Sequence, residues 1–200
     1  MGAPLDFYFD FSSPYGYLAS AQIDGLAARH GREVVWKPIL LGAAFKLMET
    51  RPLVEIPLKG DYSRRDIART AKYLGVPFNM PKVFPIGAVA ATRAFYWAAD
   101  RSMAAAKSFA ATLLGEYFVN GTDISPAATV LDIVSRLGLE REDCARTLDS
   151  AAHKERVRRE VEQAIQRGVF GSPYIIVDGE PFWGSDRLDQ VERWLATGGW

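Results

Sequence analysis

The residues with most chemical promise are Ser13 and Pro14, which fall where a short apolar strand gives way to a helix. The first N–H groups of a helix have no partner within it, and its N-terminal end carries partial positive charge, so an anion is favoured there. A cysteine so placed has a depressed pKa. A serine cannot form a disulfide, but its hydroxyl can donate a hydrogen bond to a sulfur that a ligand brings. The plain alternative is that Ser13 only caps a helix whose first residue is Pro14.

Around these residues the chain alternates in kind. Leu5 to Phe11 is an aromatic-rich run that predicts a buried strand. Tyr15, Leu18, Ala19, Ile23, Leu26 and Ala27 cover one broad side of a following helix, which Gly31 can end. Val34 to Leu40 predicts a second strand, parallel to the first through a right-handed crossover. After a loop with Pro52, Pro57 and Gly60, residues from about 63 to 150 read almost entirely as helices, one of them opened by Ser125 and Pro126. A helix over Ala152 to Arg167 then leads back to strands at Tyr174 to Val177 and Pro181 to Trp183, about an Asp178-Gly179-Glu180 turn. Asp186 to Leu195 predicts the closing helix. The expectation is an α/β fold. Residues 1–50 and 165–200 form one discontinuous domain, 151–164 a connecting helix, and 62–150 an inserted all-helical domain.

Composition removes several classes of function. Lys plus Arg and Asp plus Glu balance at 24 each, which gives no net field for nucleic acid or an acidic membrane. One cysteine, Cys144, allows neither an intrachain disulfide nor a Cys-x-x-Cys pair, and with only His30 and His153 beside it no metal site is expected. No apolar run approaches the ~20 residues that span a bilayer, and the first residues lack a signal-peptide pattern, so a soluble cytoplasmic protein is expected.

The segments DFYFDFSSPYGYLA, KGDY, VFGSPYIIVDGE and FWGSDRL resemble the 2-hydroxychromene-2-carboxylate isomerases, relatives of the kappa-class glutathione transferases and, more distantly, of disulfide-bond oxidoreductases. The resemblance spans nearly the whole chain. It implies a thioredoxin-like domain with an inserted helical domain, glutathione as cofactor, a small aromatic carboxylate as substrate, and a homodimer. It further implies that Ser13, matching the first cysteine of a Cys-Pro-x-Cys motif, stabilises the glutathione thiolate, with Gly16 in place of the second. Pro173 matches the cis-proline of thioredoxin-like folds. The backbone of Ser172 would pair with the cysteinyl part of glutathione, Ser185 and Asp186 with its γ-glutamyl end, and Lys59 with its glycyl carboxylate. Thr50-Arg51-Pro52 departs from the Asn-x-Pro that kappa-class sequences commonly carry here, and Thr50 is assigned no role. Tyr15 and Trp183 are preferred among the aromatics as pocket-lining residues, and no particular cation is singled out for the substrate carboxylate. The rivals are a kappa-like transferase or peroxidase, which would use the same sulfur site, and a non-catalytic glutathione-binding module.

Overall fold

The computed structural model describes residues 2–200. Strand β1 (Leu5–Phe9) is followed by helix α1 (Pro14–Arg29) and strand β2 (Val34–Pro38), which pairs parallel to β1 with Leu5 opposite Val34. Leu5, Phe7 and Phe9 point into the core and are fully buried, while Asp6 and Tyr8 take the other face, the period-2 alternation of a strand. The aromatic run therefore ends as a strand at Phe9, short of the expected Phe11. Asp10 turns the chain there: its carboxylate accepts from Ser12 N (2.8 Å) and its carbonyl from Ser13 N (2.8 Å), an Asx-type turn that aims α1.

Helix α2 (Leu41–Leu47) comes next and carries none of the expected start signals; Leu40 precedes it without a side-chain cap. A 3₁₀ turn over Leu53–Glu55 leads into α3 (Lys59–Leu74), which begins four residues earlier than the polar run from Ser63 suggests. Gly60 explains that start. A Cβ there would lie 2.4 Å from the carbonyl oxygen of Val54, so only glycine lets the first turn of α3 pack on the 3₁₀ turn. Gly60→Ala should cost about 1–3 kcal/mol in a urea melt, the range of overpacked positions, because the neighbour is backbone and cannot swing away.

The helical stretch continues with α4 (Val89–Ala99), α5 (Met103–Phe118), α6 (Ala127–Arg136), α7 (Arg141–Asp149) and α8 (Ala151–Gln166). Helix α4 packs against α5, α6, α7 and α8. Pro126, not Ser125, occupies the N-cap of α6, and no side chain caps that helix. Strands β3 (Tyr174–Val177) and β4 (Glu180–Trp183) form the expected hairpin through Asp178 and Gly179, both at positive φ as a two-residue turn of this kind requires. The sheet order is β2-β1-β3-β4, with β3 antiparallel to β1. A 3₁₀ turn at Ser185–Arg187 and helix α9 (Leu188–Thr197) replace the single helix expected from Asp186.

One apolar core runs through both parts of the chain: Phe9 of β1 meets Phe95 of α4 edge-on at 6.2 Å, and Tyr17 of α1 stacks on Phe118 of α5 at 5.2 Å. A smaller cluster of Tyr8, Ile39, Ala164, Val169, Tyr174 and Ile176 seats the end of α8 on the opposite face of the sheet. Among the described residues, no helix is long and apolar enough to cross a membrane.

Candidate active site

A cleft of about 1430 Å3 opens above the β1–α1 junction. Its floor comprises Asp10, Ser12, Ser13 and Pro14, with Ser172 beside them. One wall comes from α2 and the segment after it (Leu41, Phe45, Met48, Leu53, Ile56), and another from α3 and the Phe84–Val89 segment. Phe170, Trp183, Ser185, Asp186 and Arg187 form the rim.

Ser13 is the N-cap of α1, in extended conformation and 8% exposed. Its Oγ accepts from Gly16 N (3.0 Å) and donates to the carbonyl of Ser172 (2.9 Å). Capping and a second bond thus coexist on one hydroxyl. Ser172 precedes Pro173 through a cis peptide bond, and its own Oγ accepts from Asp10 N (2.9 Å). Two junctions 159 residues apart in sequence are in this way laced together. Pro14 has no N–H and Gly16 gives its own to Ser13, which leaves the Tyr15 N–H as the donor of the first turn with no acceptor among the described residues.

Ser185 and Asp186 stand on the cleft rim as the first residues of the 3₁₀ turn, and Gly184 N donates to Pro173 O (3.1 Å), which fixes the rim to the cis-proline. The Asp186 carboxylate is turned to Arg187 Nη1 at 2.7 Å, an exposed pair of little energetic weight. Lys59, the first residue of α3, is exposed and lies outside the cleft lining, one turn ahead of Tyr62 and Ser63, which belong to it. Thr50 lines the cleft, and so do Tyr15 and Trp183. His153 lies against α4, where its Nε2 meets the Arg93 carbonyl at 3.1 Å, and Cys144 is buried, its thiol pushed up to about 12 by desolvation. No cluster that could hold a metal ion occurs among the described residues.

Asp66, Lys46, Arg51 and the hydrogen bond that holds Tyr15 escaped the sequence reading. Tyr15 donates from its hydroxyl to Asp66 Oδ2 (2.6 Å), and Asp66 also takes Arg69 and, at 3.4 Å, Tyr62. Burial opposes ionisation of Asp66, yet these donors hold it below the usual carboxylate range; the Tyr15 hydroxyl is pushed up by burial and by Asp66. The Tyr15 side chain, which lines the cleft, is thereby tied to α3. Lys46 and Arg51 also line the cleft, as exposed cations that enter no ion pair among the described residues.

Asp10 is the most unusual group. It is 6% exposed, and its carboxylate is met by two backbone donors, Ser12 N and Leu41 N (both 2.8 Å), with no cation. Desolvation outweighs those bonds and raises its pKa from 3.8 to about 6. Because the folded value lies above the unfolded one, Asp10 contributes stability that is complete below about pH 4 and is lost as pH rises through about 6. Asp10→Asn, which mimics the neutral form, should therefore gain on the parent by on the order of 3 kcal/mol between about pH 4 and pH 7 in paired denaturant melts. A gap between the two proteins that stays constant with pH would contradict this.

Residues 4–196 match the family model of the DSBA-like thioredoxin domain. The chain is 32% identical to a 2-hydroxychromene-2-carboxylate isomerase of Pseudomonas sp. (strain C18), over 98% of this chain and 90% of that one. It is 28% identical to glutathione S-transferase kappa 2 of Caenorhabditis elegans, over 96% and 91%. The solved structure of a selenomethionyl 2-hydroxychromene-2-carboxylate isomerase superposes with a TM-score of 0.87 at 26% identity, covering 98% of this chain and 95% of that one. This chain therefore belongs to the DSBA-like thioredoxin-domain family, among its 2-hydroxychromene-2-carboxylate isomerase and kappa-class glutathione transferase members, and is an enzyme of that glutathione-linked isomerase or transferase group.

Proposed function

We propose that this enzyme is a glutathione-dependent isomerase that converts 2-hydroxychromene-2-carboxylate to trans-o-hydroxybenzylidenepyruvate, or an aromatic carboxylate of the same type. The observation that carries the reading is the Ser13 hydroxyl at the N-cap of α1, on the floor of a wide, mostly apolar cleft. The donor set suits a thiolate: the Ser13 hydroxyl and the Tyr15 N–H lie at the positive end of a 16-residue helix. The Ser13 hydrogen is held by the Ser172 carbonyl, so a sulfur would receive it only as that carbonyl takes another donor. A cysteinyl amide is the natural one, paired with Ser172 as an added strand would be.

Ser185 and Asp186 would hold the γ-glutamyl end, with Asp186 exchanging the Arg187 guanidinium for an ammonium. Lys59 would reach the glycyl carboxylate from the start of α3. When bound, glutathione supplies a soft nucleophile that adds to the substrate, allows ring opening and rotation, and leaves unchanged. Lys46 and Arg51 would meet the substrate carboxylate, and Phe45, Met48, Ile56 and Phe84 would cover its ring. The homodimer implied by the resemblance would cover Leu47 and Leu58, which stand exposed and lie outside the cleft lining.

The kappa-class relative supports a second reading, a transferase that consumes glutathione. Counting free thiol during turnover of the chromene separates the two. An isomerase leaves the thiol count constant while product accumulates; loss of one thiol per product would replace it with the transferase.

A further inference from the structure

Asp10 is a buried carboxylate that the sulfur site does not visibly need. It belongs to the same turn as Ser13, lines the cleft floor, and has no cation against it. Ser12 N and Leu41 N, from the turn and the start of α2, donate to its oxygens. Ser172 takes its backbone N–H from the cis-proline side. The titratable group that senses its charge is the Tyr117 hydroxyl on α5, which burial pushes up and which donates to Val83 O (2.9 Å). A negative charge so poorly compensated is an obstacle to placing a second one on a neighbouring sulfur, since like charges in one partly buried site drive one of the pair to its neutral form.

We propose that Asp10 is the proton acceptor of this site, holding the proton that glutathione gives up as its sulfur becomes a thiolate beside Ser13. The inference rests on the glutathione reading of the cleft. In the step, the S–H bond breaks, its electron pair stays on sulfur, and the proton is bound on a carboxylate oxygen of Asp10. The floor carries one negative charge before and after. Because Asp10 titrates near pH 6 in the free protein, it is ionised and able to accept at neutral pH. As a neutral carboxyl it no longer opposes the thiolate, whose charge is left to Ser13, the Tyr15 N–H and the helix end.

The test needs no substitution. The side-chain carboxyl 13C resonance of Asp10 is titrated against pH in the wild-type protein, alone, with glutathione and with S-methylglutathione, which has no ionisable thiol; calorimetry establishes binding of each. The expected result is a midpoint at least one pH unit higher with glutathione, a tenfold or greater rise in proton affinity, and little change with S-methylglutathione. A midpoint that stays or falls with bound glutathione overturns the inference and leaves the glutathione reading standing. An equal rise with both ligands overturns it too, since desolvation would then account for the shift. If glutathione does not bind at all, the proposed function fails and takes this inference with it.

Discussion

Ser13→Ala lowers kcat/KM with glutathione by roughly ten- to a hundredfold, the worth of one hydrogen bond to a charged group, and lowers stability by about 1 kcal/mol, the worth of one N-cap. The two effects have separate origins in one atom. The acceptor side of Oγ serves Gly16 N within α1, and loss of that bond is felt in any assay of folding. The donor side serves the Ser172 carbonyl in the absence of a ligand and, on the proposed reading, the sulfur in its presence. Ser13→Thr keeps both capacities at one extra methyl group, so it should recover most of the stability and part of the rate. Denaturant melts and steady-state kinetics of the three proteins decide the matter. An alanine variant that lost stability alone, with rate per folded molecule intact, would reduce Ser13 to a cap.

Gly16→Ala should damage both the floor of the site and the stability of the fold. A Cβ there would lie 2.6 Å from Ser172 Oγ and 3.2 Å from Ser13 Cβ. The Ser172 hydroxyl is not free to retreat, because it accepts from Asp10 N. The added carbon therefore pushes apart the two residues that build the floor, at about 2–3 kcal/mol, with activity lost beyond what stability explains. Ser172→Ala removes the closest obstacle. In that background the alanine at position 16 should cost less than half as much, a coupling that a double-mutant cycle reads directly. Additive costs would show that Gly16 is required for some reason other than Ser172. The same contact bears on redox chemistry, since the space for any side chain at position 16 is filled by Ser172. Ser13→Cys with Gly16→Cys would accordingly not restore a disulfide site unless Ser172 were also shortened.

How much of this was legible in the sequence depends on the distance over which each feature is decided. The β1–α1 junction and the hairpin are local: an apolar alternation, a Ser-Pro helix start and an Asp-Gly turn each determine their own backbone. Ser13 could be named from such signals, and Ser172, Ser185 and Asp186 from the family resemblance; the fold brings all four to one cleft. Helix α2 could not, since its start is held by the Asp10 carboxylate on Leu41 N, a partner 31 residues away, and not by a cap of its own. The early start of α3 depends likewise on contact between Gly60 and Val54, with Leu58 at positive φ in the N-cap position where no capping side chain announces it. The tie between Asp66 and Tyr15 joins helices whose sequences are unremarkable taken singly. Asp10 looked like an interruption of an apolar strand; its burial and its two backbone partners make it part of the site's floor.

The central claim is that the floor beside Ser13 creates and holds a thiolate, and ultraviolet titration of the bound glutathione sulfur tests it most directly. With the wild-type protein, thiolate absorbance should appear on binding at a pH well below the pKa of free glutathione, and it should be lost in Ser13→Ala. Bound glutathione that titrates as it does in water, or a thiolate that survives unchanged in the alanine variant, would contradict the account.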